Sequence, residues 1–211
     1  MDARMHLGFK GLQLQPGEHV CGLYAGAQQR DEILLPYLRA GLEAGDKCIC
    51  IVDGMEPAEI VAALGGPEVE NIAAGPKQLD VIRASDAYLR SGTFSAAETM
   101  AVWKAAISEV MYLGRFAALR GVGVWSLRDV VPDMGELLRL EAELKHYLPL
   151  YPQVAVCLYD VDRFGSEIIA DVIRLHSKVL VGGTIVENPL HLTPDELLAL
   201  PLSARRQRSD R

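Results

Sequence analysis

The sequence predicts an α/β domain, with a mainly parallel central sheet and helices on both faces. Three observations carry that expectation. Apolar runs of strand length recur along the 211 residues. Between most of them lie stretches whose apolar residues repeat at three- and four-residue spacing, the period of a helix. The strand-like runs are apolar nearly throughout instead of alternating, as expected of a sheet covered on both sides and connected by right-handed crossovers. A chain this long buries roughly 70% of its unfolded surface. Half of its residues are hydrophobic and 23% are charged, so one domain with a real core is expected and disorder is not.

In chain order, residues 1–15 read as an N-terminal extension ahead of a single domain over residues 16–200. The first strand covers residues 20–24, and "AGAQQRDE" after it reads as a polar loop. A helix follows with Leu34, Leu38 and Leu42 at four-residue spacing; Pro36 inside it predicts a late start or a kink. The second strand is residues 48–52, and the stretch from Asp53 to Gln78 reads as one short helix and loops. The third strand is residues 79–84. Ala97, Met100, Ala101, Lys104, Ile107, Ser108 and Met111 then trace a long helical stripe in which only Lys104 and Ser108 are polar. After a fourth strand at 122–127, a third stripe runs through Met134, Leu137, Leu138, Glu141 and Leu144. A fifth strand at 154–159 leads to a stripe of Ile168, Ile169, Val172 and Ile173, and a last strand covers 179–186. "NPLHLTPDELLALP" predicts a capped terminal helix beginning near Thr193 or Pro194. Residues 201–211 form a basic polar tail carrying Arg205, Arg206, Arg208 and Arg211, read as a solvated end.

No run of about 18 apolar residues is present, and the first residues lack the apolar segment of a secretory signal. No membrane contact is expected, and the predicted location is cytoplasmic. Cys21, Cys48, Cys50 and Cys157 sit inside apolar runs without a C-x-x-C pair, which reads as reduced core thiols. A formal charge of −7 disfavours direct nucleic-acid binding, which rests on a basic face.

In an open parallel sheet, ligands bind beyond the carboxyl ends of the strands. That rule singles out Tyr24 after the first strand, Tyr88 after the third, Trp125 and Arg128 at the fourth, and Asp160 and Arg163 after the fifth, all around one cleft. His19 and Cys21 lie deeper along the first strand. Aromatic walls with few polar groups suit a small, weakly polar compound, and an arginine can fix an anionic or carbonyl end. The opposing reading is plain packing for the aromatics and surface ion pairing for Arg128, Asp129, Asp160, Asp162 and Arg163.

A nucleotide-hydrolysing reading would take Asp129 as the acid ending the fourth strand. It needs a Lys followed by Ser or Thr in the first loop, and residues 25–32 have neither. "GLEAGDK" at residues 41–47 falls at a helix end, where the dipole repels anions. His19 and Cys21 share one side of a strand, and Cys157 lies in a strand able to neighbour it. These are ligand types for zinc or copper, but a fourth ligand is not evident, and a hydrogen-bonded histidine beside core thiols is the preferred account of them. Asp129 with His176 is one of many combinatorial catalytic pairs, and no nucleophile, base and orienting acid stand together. The reading is therefore of a binding protein, not an enzyme, with no cofactor and no metal assigned.

The segment "GEHVCGLYAGAQQRDEILLPYLRAGLEAGDKCICIVD" resembles the start of the MEDS domain, the methanogen/methylotroph DcmR sensory domain. The shared features are an H-x-C-x-x-Y strand and a helix ending in "GLxxGxxC". "ASDAYLRSGTF", "CLYDVDRF" and "LHSKVLVGGTIVENP" resemble later pieces of that domain, in the same order, over roughly residues 16–193. "GVWSLRDVV" departs from the polar segment that many members have after the fourth strand.

The resemblance implies a RecA-like three-layer sandwich that has lost its ATP site and senses small molecules, in the founding case a halogenated hydrocarbon. It implies a sensory domain that binds a small organic ligand and signals through a separate protein partner, since no output region is recognised before residue 16 or after residue 193. Homo-oligomerisation is compatible with that role. A RecA-like nucleotide-binding protein with an atypical phosphate loop, a metal or thiol redox sensor, and a protein-binding module are the alternatives.

Overall fold

The computed structural model describes residues 4–66, 77–88, 91–126 and 133–199. A two-stranded antiparallel hairpin comes first, β1 (Met5–His6) and β2 (Gln13–Leu14), followed by the opening unit of the main sheet: β3 (His19–Tyr24), helix α1 (Gly26–Ala44) and β4 (Lys47–Val52). Helix α2 (Pro57–Leu64), strand β5 (Leu79–Arg83) and the helices α3 (Ala84–Tyr88) and α4 (Ala96–Leu113) come next. The remaining elements are β6 (Leu119–Trp125), α5 (Met134–Tyr147), a 3-10 turn (Leu148–Leu150), β7 (Gln153–Asp160), α6 (Ser166–Leu175), β8 (Lys178–Val181), β9 (Thr184–Glu187) and α7 (Pro194–Ala199).

Seven strands form one sheet in the order β5-β4-β6-β7-β3-β8-β9, parallel throughout except for the antiparallel pair β8–β9. The core divides on the two faces. Leu34, Tyr37 and Leu38 of α1 and Ile60 of α2 cover Val20, Cys48, Cys50, Val122 and Val156 on one side, together with Leu7 and Leu14 at the N-terminal hairpin. On the other side α3 to α6 cover Cys21, Ile49, Ile51, Leu119, Ala155, Cys157 and Tyr159. The expected mainly parallel α/β sheet is therefore what the chain forms.

Several local expectations are corrected. "AGAQQRDE" is no loop: Ala25 alone joins β3 to α1, and the other seven residues are the first two turns of the helix. Gln29 makes the early start possible by accepting a hydrogen bond from the Ala25 N–H at 2.9 Å. Pro36 neither delays nor ends α1, because the buried Ile33, Leu34, Tyr37 and Leu38 hold the flanking turns against the sheet. The inward face of α4 is Ala96, Thr99, Met100, Trp103, Ala106, Ile107 and Val110; Ala97, Ala101, Lys104, Ser108 and Met111 are exposed. Trp103 sets that rotation. The strand expected at 179–186 is two strands, turned at Gly182 and Gly183, both with positive φ, as tight hairpins require. Arg128, Asp129 and the basic tail lie outside the described residues.

The sheet makes room for its largest helix side chains by using glycine. A Cβ on Gly121 would lie 1.9 Å from the Trp103 ring, so the "GVGVW" strand admits an indole directly onto its backbone. Trp103 Nε1 then donates to buried Gln153 Oε1 at 2.8 Å, and Gln153 Nε2 donates to the Tyr147 and Leu148 carbonyls, tying α4, β7 and the end of α5 together. On the opposite face, Arg120 pairs with buried Asp46 at 3.0 Å and lies 5.0 Å from the Tyr37 ring.

Gly121→Ala is expected to lower stability by roughly 1–3 kcal/mol through overpacking, read from the urea midpoint. The same substitution in a Trp103→Phe background should cost clearly less, because the ring atoms it strikes are gone. Additive losses would show that the ring and the strand are not in contact.

Candidate functional site

The chemistry of the domain gathers on the face covered by α4, α5 and α6. His19 opens β3 on that face, two residues before Cys21, and Cys157 is the register partner of Cys21 on β7. Helix α5 crosses above them and presents Leu137, Leu140 and Leu144 to the core together with Glu141, which is only 2% exposed. His176, 1% exposed, follows the last turn of α6 just before β8.

Four of these side chains converge. One donor atom each from His19, Glu141, Cys157 and His176 lies within 4.8 Å of every other. His19 Nε2 is 3.1 Å from Cys157 Sγ and 3.3 Å from His176 Nε2. Glu141 Oε2 is 3.2 Å from His176 Nε2 and 3.4 Å from His19 Nδ1, yet accepts no hydrogen bond among the described residues. Its other oxygen accepts from Tyr159 O–H at 2.8 Å. His176 Nδ1 lies 2.6 Å from the Val172 carbonyl, so Nδ1 donates there and Nε2 is the ring nitrogen that faces the cluster.

Burial lowers His19 to about 3, with His176 adding to the fall and Glu141 opposing it, so its ring is neutral. Burial acts to raise Glu141 as well, but the two imidazoles and the Tyr159 hydroxyl outweigh it and hold the carboxyl at about 2. Burial pushes the Cys21 and Cys157 thiols well up, and the Glu141 charge adds to both. The cluster thus sets one buried carboxylate against two imidazoles and thiols that keep their protons, within an apolar layer.

A row of aromatic rings runs from the cluster along the same face. Tyr88 stacks on Trp125 at 4.7 Å, Trp125 lies 6.3 Å from Tyr159, and Phe94 and Phe164 meet the row edge-on. Trp125 Nε1 is buried without a hydrogen-bond partner among the described residues. A cavity of about 190 Å³ at the amino ends of β3 and β8, lined by Glu18, His19, Lys145, Leu175, Ser177 and His191 among others, leads from the surface to His19. A larger cavity, about 360 Å³, lies over the outer side of α5 against Asp133, Glu136, Arg139 and His146, away from these groups.

The residues singled out from the sequence fall into three places. His19, Cys21, Tyr88 and Trp125 share the face just described. Tyr24 and Asp160 are neighbours at the carboxyl edge of the sheet, with Tyr24 O–H donating to the Trp125 carbonyl at 3.3 Å, but the Tyr24 ring packs on the α1 face. Arg163 is exposed in the turn after β7, and Arg128 lies outside the described residues. Tyr88 is 1% exposed, so its alanine variant is a core deletion and not the benign edge substitution its place after a strand implies. Glu141 and His176 were not assigned to a site with His19. The signal for Glu141 was its place within the apolar stripe of α5, and for His176 its place between an apolar stripe and an apolar strand.

Comparison with known proteins places this geometry in a family. The sequence profile "MEDS: MEthanogen/methylotroph, DcmR Sensory domain" matches residues 18–177. The chain belongs to the MEDS family. The match runs from just before His19 to just after His176, so all four clustered residues fall within it. A curated relative, the transcriptional repressor DcmR of Methylorubrum extorquens, is 27% identical over 175 residues, covering 79% of this chain and 60% of that protein. The chain thus spans about 60% of the length of that relative.

Among solved structures, uncharacterized protein PH0321 from Pyrococcus horikoshii, crystallised in complex with an unknown peptide, superposes with a TM-score of 0.61 at 16% identity, covering 87% of this chain and 91% of that one. PH0250 from Pyrococcus horikoshii OT3 gives 0.51 at 15% identity, covering 82% and 87%. These two share the fold. The chain carries a MEDS sensory domain, and no helix among its described residues is long and apolar enough to cross a membrane.

Tyr159→Phe strips the Glu141 carboxylate of its only hydrogen bond among the described residues. It is expected to cost about 1.5–3 kcal/mol of unfolding free energy, measured by urea denaturation. In a Glu141→Leu background the same change should be nearly silent. Equal losses in both backgrounds would mean that the two groups are not coupled.

Proposed function

We propose that this MEDS domain is a small-molecule sensor that binds a weakly polar organic ligand beside the aromatic row and passes the signal to a protein partner. One observation carries the reading. The face leading away from His19 offers aromatic walls, a buried Nε1 donor at Trp125 and a buried Oε2 acceptor at Glu141 that lack a well-formed hydrogen bond among the described residues, and a cavity that opens at His19. Apolar walls with a few convergent polar atoms suit a ligand of low polarity bearing one or two hydrogen-bonding groups.

Membership of the sensory family and the likeness to a transcriptional repressor support the regulatory role. A partner that controls transcription fits the second of these. The direct junction of β3 to α1 by one residue supports binding over nucleotide hydrolysis, because no loop lies there to wrap a phosphate. Of the sequence-derived ligand residues, His19 lines the cavity and Cys21, Tyr88 and Trp125 share its face of the sheet, while Tyr24, Asp160 and Arg163 lie at the carboxyl edge.

Thermal-shift and tryptophan-fluorescence titrations of the whole chain with short halogenated and oxygenated hydrocarbons test this. A saturable rise in Tm with a fluorescence change that Trp125→Phe removes and Trp103→Phe keeps is expected, since a specific ligand stabilises the folded state by mass action. Saturable binding that Trp125→Phe leaves unaltered would move the ligand elsewhere. Tight binding of magnesium-ATP in place of these compounds would overturn the reading.

A further inference from the structure

We infer that His19, Glu141, Cys157 and His176 form a four-coordinate binding site for one zinc(II) ion. The inference shares Glu141 and the cavity at His19 with the organic-ligand reading, but it rests on a different observation, the set of four metal-ligating side chains. Two imidazoles, one thiol sulfur and one carboxylate are the ligand types zinc takes in protein sites, and four of them make a closed tetrahedral shell.

The distances are close to that shell. Tetrahedral bonds of about 2.0–2.3 Å separate neighbouring ligand atoms by about 3.3–3.7 Å. Contacts of 3.1, 3.3 and 3.2 Å link His19 to Cys157, His19 to His176, and His176 to Glu141, and all four ligand atoms lie within 4.8 Å of one another, so binding would spread the first three and draw the remaining pairs in. The strands β3 and β7, the helix α5 and the end of α6 bring the four side chains together.

The ligand atoms are already turned to a common point. The Nδ1–H of His176 is committed to the Val172 carbonyl, so Nε2 is the atom it turns to Glu141 Oε2, at 3.2 Å. Glu141 Oε2 is the buried acceptor left without a hydrogen bond. A metal ion would satisfy both atoms and His19 Nε2 at once, displacing the thiol proton of Cys157 to solvent as the Zn–S bond forms. The Nδ1 contact of His176 and the Tyr159 hydroxyl on Glu141 Oε1 are the outer hydrogen bonds that metal-bound His and Glu commonly make. The cavity at the amino ends of β3 and β8 gives the ion a path to His19. Cys21 is not among the four converging residues.

The test uses the whole chain, stripped with a chelator and titrated with zinc or cobalt(II). The expected result is one equivalent bound and a Tm raised on loading. Cobalt should give the intense visible bands of a tetrahedral site and a near-ultraviolet thiolate charge-transfer band. Cys157→Ser should abolish the charge-transfer band and weaken binding at least tenfold, His19→Ala should weaken binding likewise, and Cys21→Ser should leave the spectrum unchanged. If Cys157→Ser does not fold, the wild-type cobalt spectrum together with His19→Ala decides. Binding well below one equivalent, a cobalt spectrum without a thiolate band, or full binding by His19→Ala would overturn the site and leave a proton-sharing cluster. Failure here would leave hydrocarbon binding by the aromatic row untouched, because that binding is read from Trp125 fluorescence.

Discussion

A carboxylate occupies a position on α5 where the helix pattern calls for an aliphatic side chain, and the arrangement of this face depends on it. Glu141 is 2% exposed amid Leu137, Leu140 and Leu144. An ionised carboxylate taken out of water costs several kcal/mol unless hydrogen bonds or opposite charge offset the loss. Tyr159 supplies one hydrogen bond, and the two histidines stand against the remaining oxygen. This demand explains why four elements that would otherwise pack through leucine and valine deliver polar side chains to a single point. It also explains why the group lies under α5 at the middle of the sheet, not at the carboxyl edge where parallel-sheet ligands ordinarily sit.

The backbone that carries this cluster is held rigid by contacts on both sides of it. Trp103 lies on Gly121, and Gln153 joins that indole to the end of α5. Beyond the sheet, Arg120 and Asp46 fasten α1 to β6. With α1 entering directly from β3 and α5 pinned at its carboxyl end, the distances among His19, Glu141, Cys157 and His176 are set by the sheet register and not by mobile loops. A preorganised donor set of this kind binds a small ion or a small ligand without paying to order its own side chains.

Much of the fold was legible in the residues because periodicity reports local structure directly. The apolar runs gave the main strands, and the leucine spacing gave α1 and α5. Where tertiary packing competes with local pattern, the reading failed for identifiable reasons. The polar "AGAQQRDE" looks like a loop by composition, but Gln29 caps the helix from within and draws the start back to Gly26. The stripe on α4 shifted because Trp103, in line with Met100 and Ile107, fits the space over Gly121 and so decides which side faces inward. Two adjacent glycines in "VLVGGTIVE" carried the hairpin signal that a continuous apolar run concealed.

The site was half legible. His19, Cys21 and Cys157 were visible as ligand types on strands able to be neighbours, and the two-residue spacing put His19 and Cys21 on one side. Glu141 and His176 are 122 and 157 positions from His19 in the chain, and no local pattern links such residues until the order β7-β3-β8 and the crossing of α5 bring them together. The central claim is that these side chains form one coordination centre. Zinc-edge X-ray absorption on the loaded protein tests it most directly. The account predicts one sulfur at about 2.3 Å and three nitrogen or oxygen neighbours at about 2.0–2.2 Å; a shell with no sulfur, or with two or more, would contradict it.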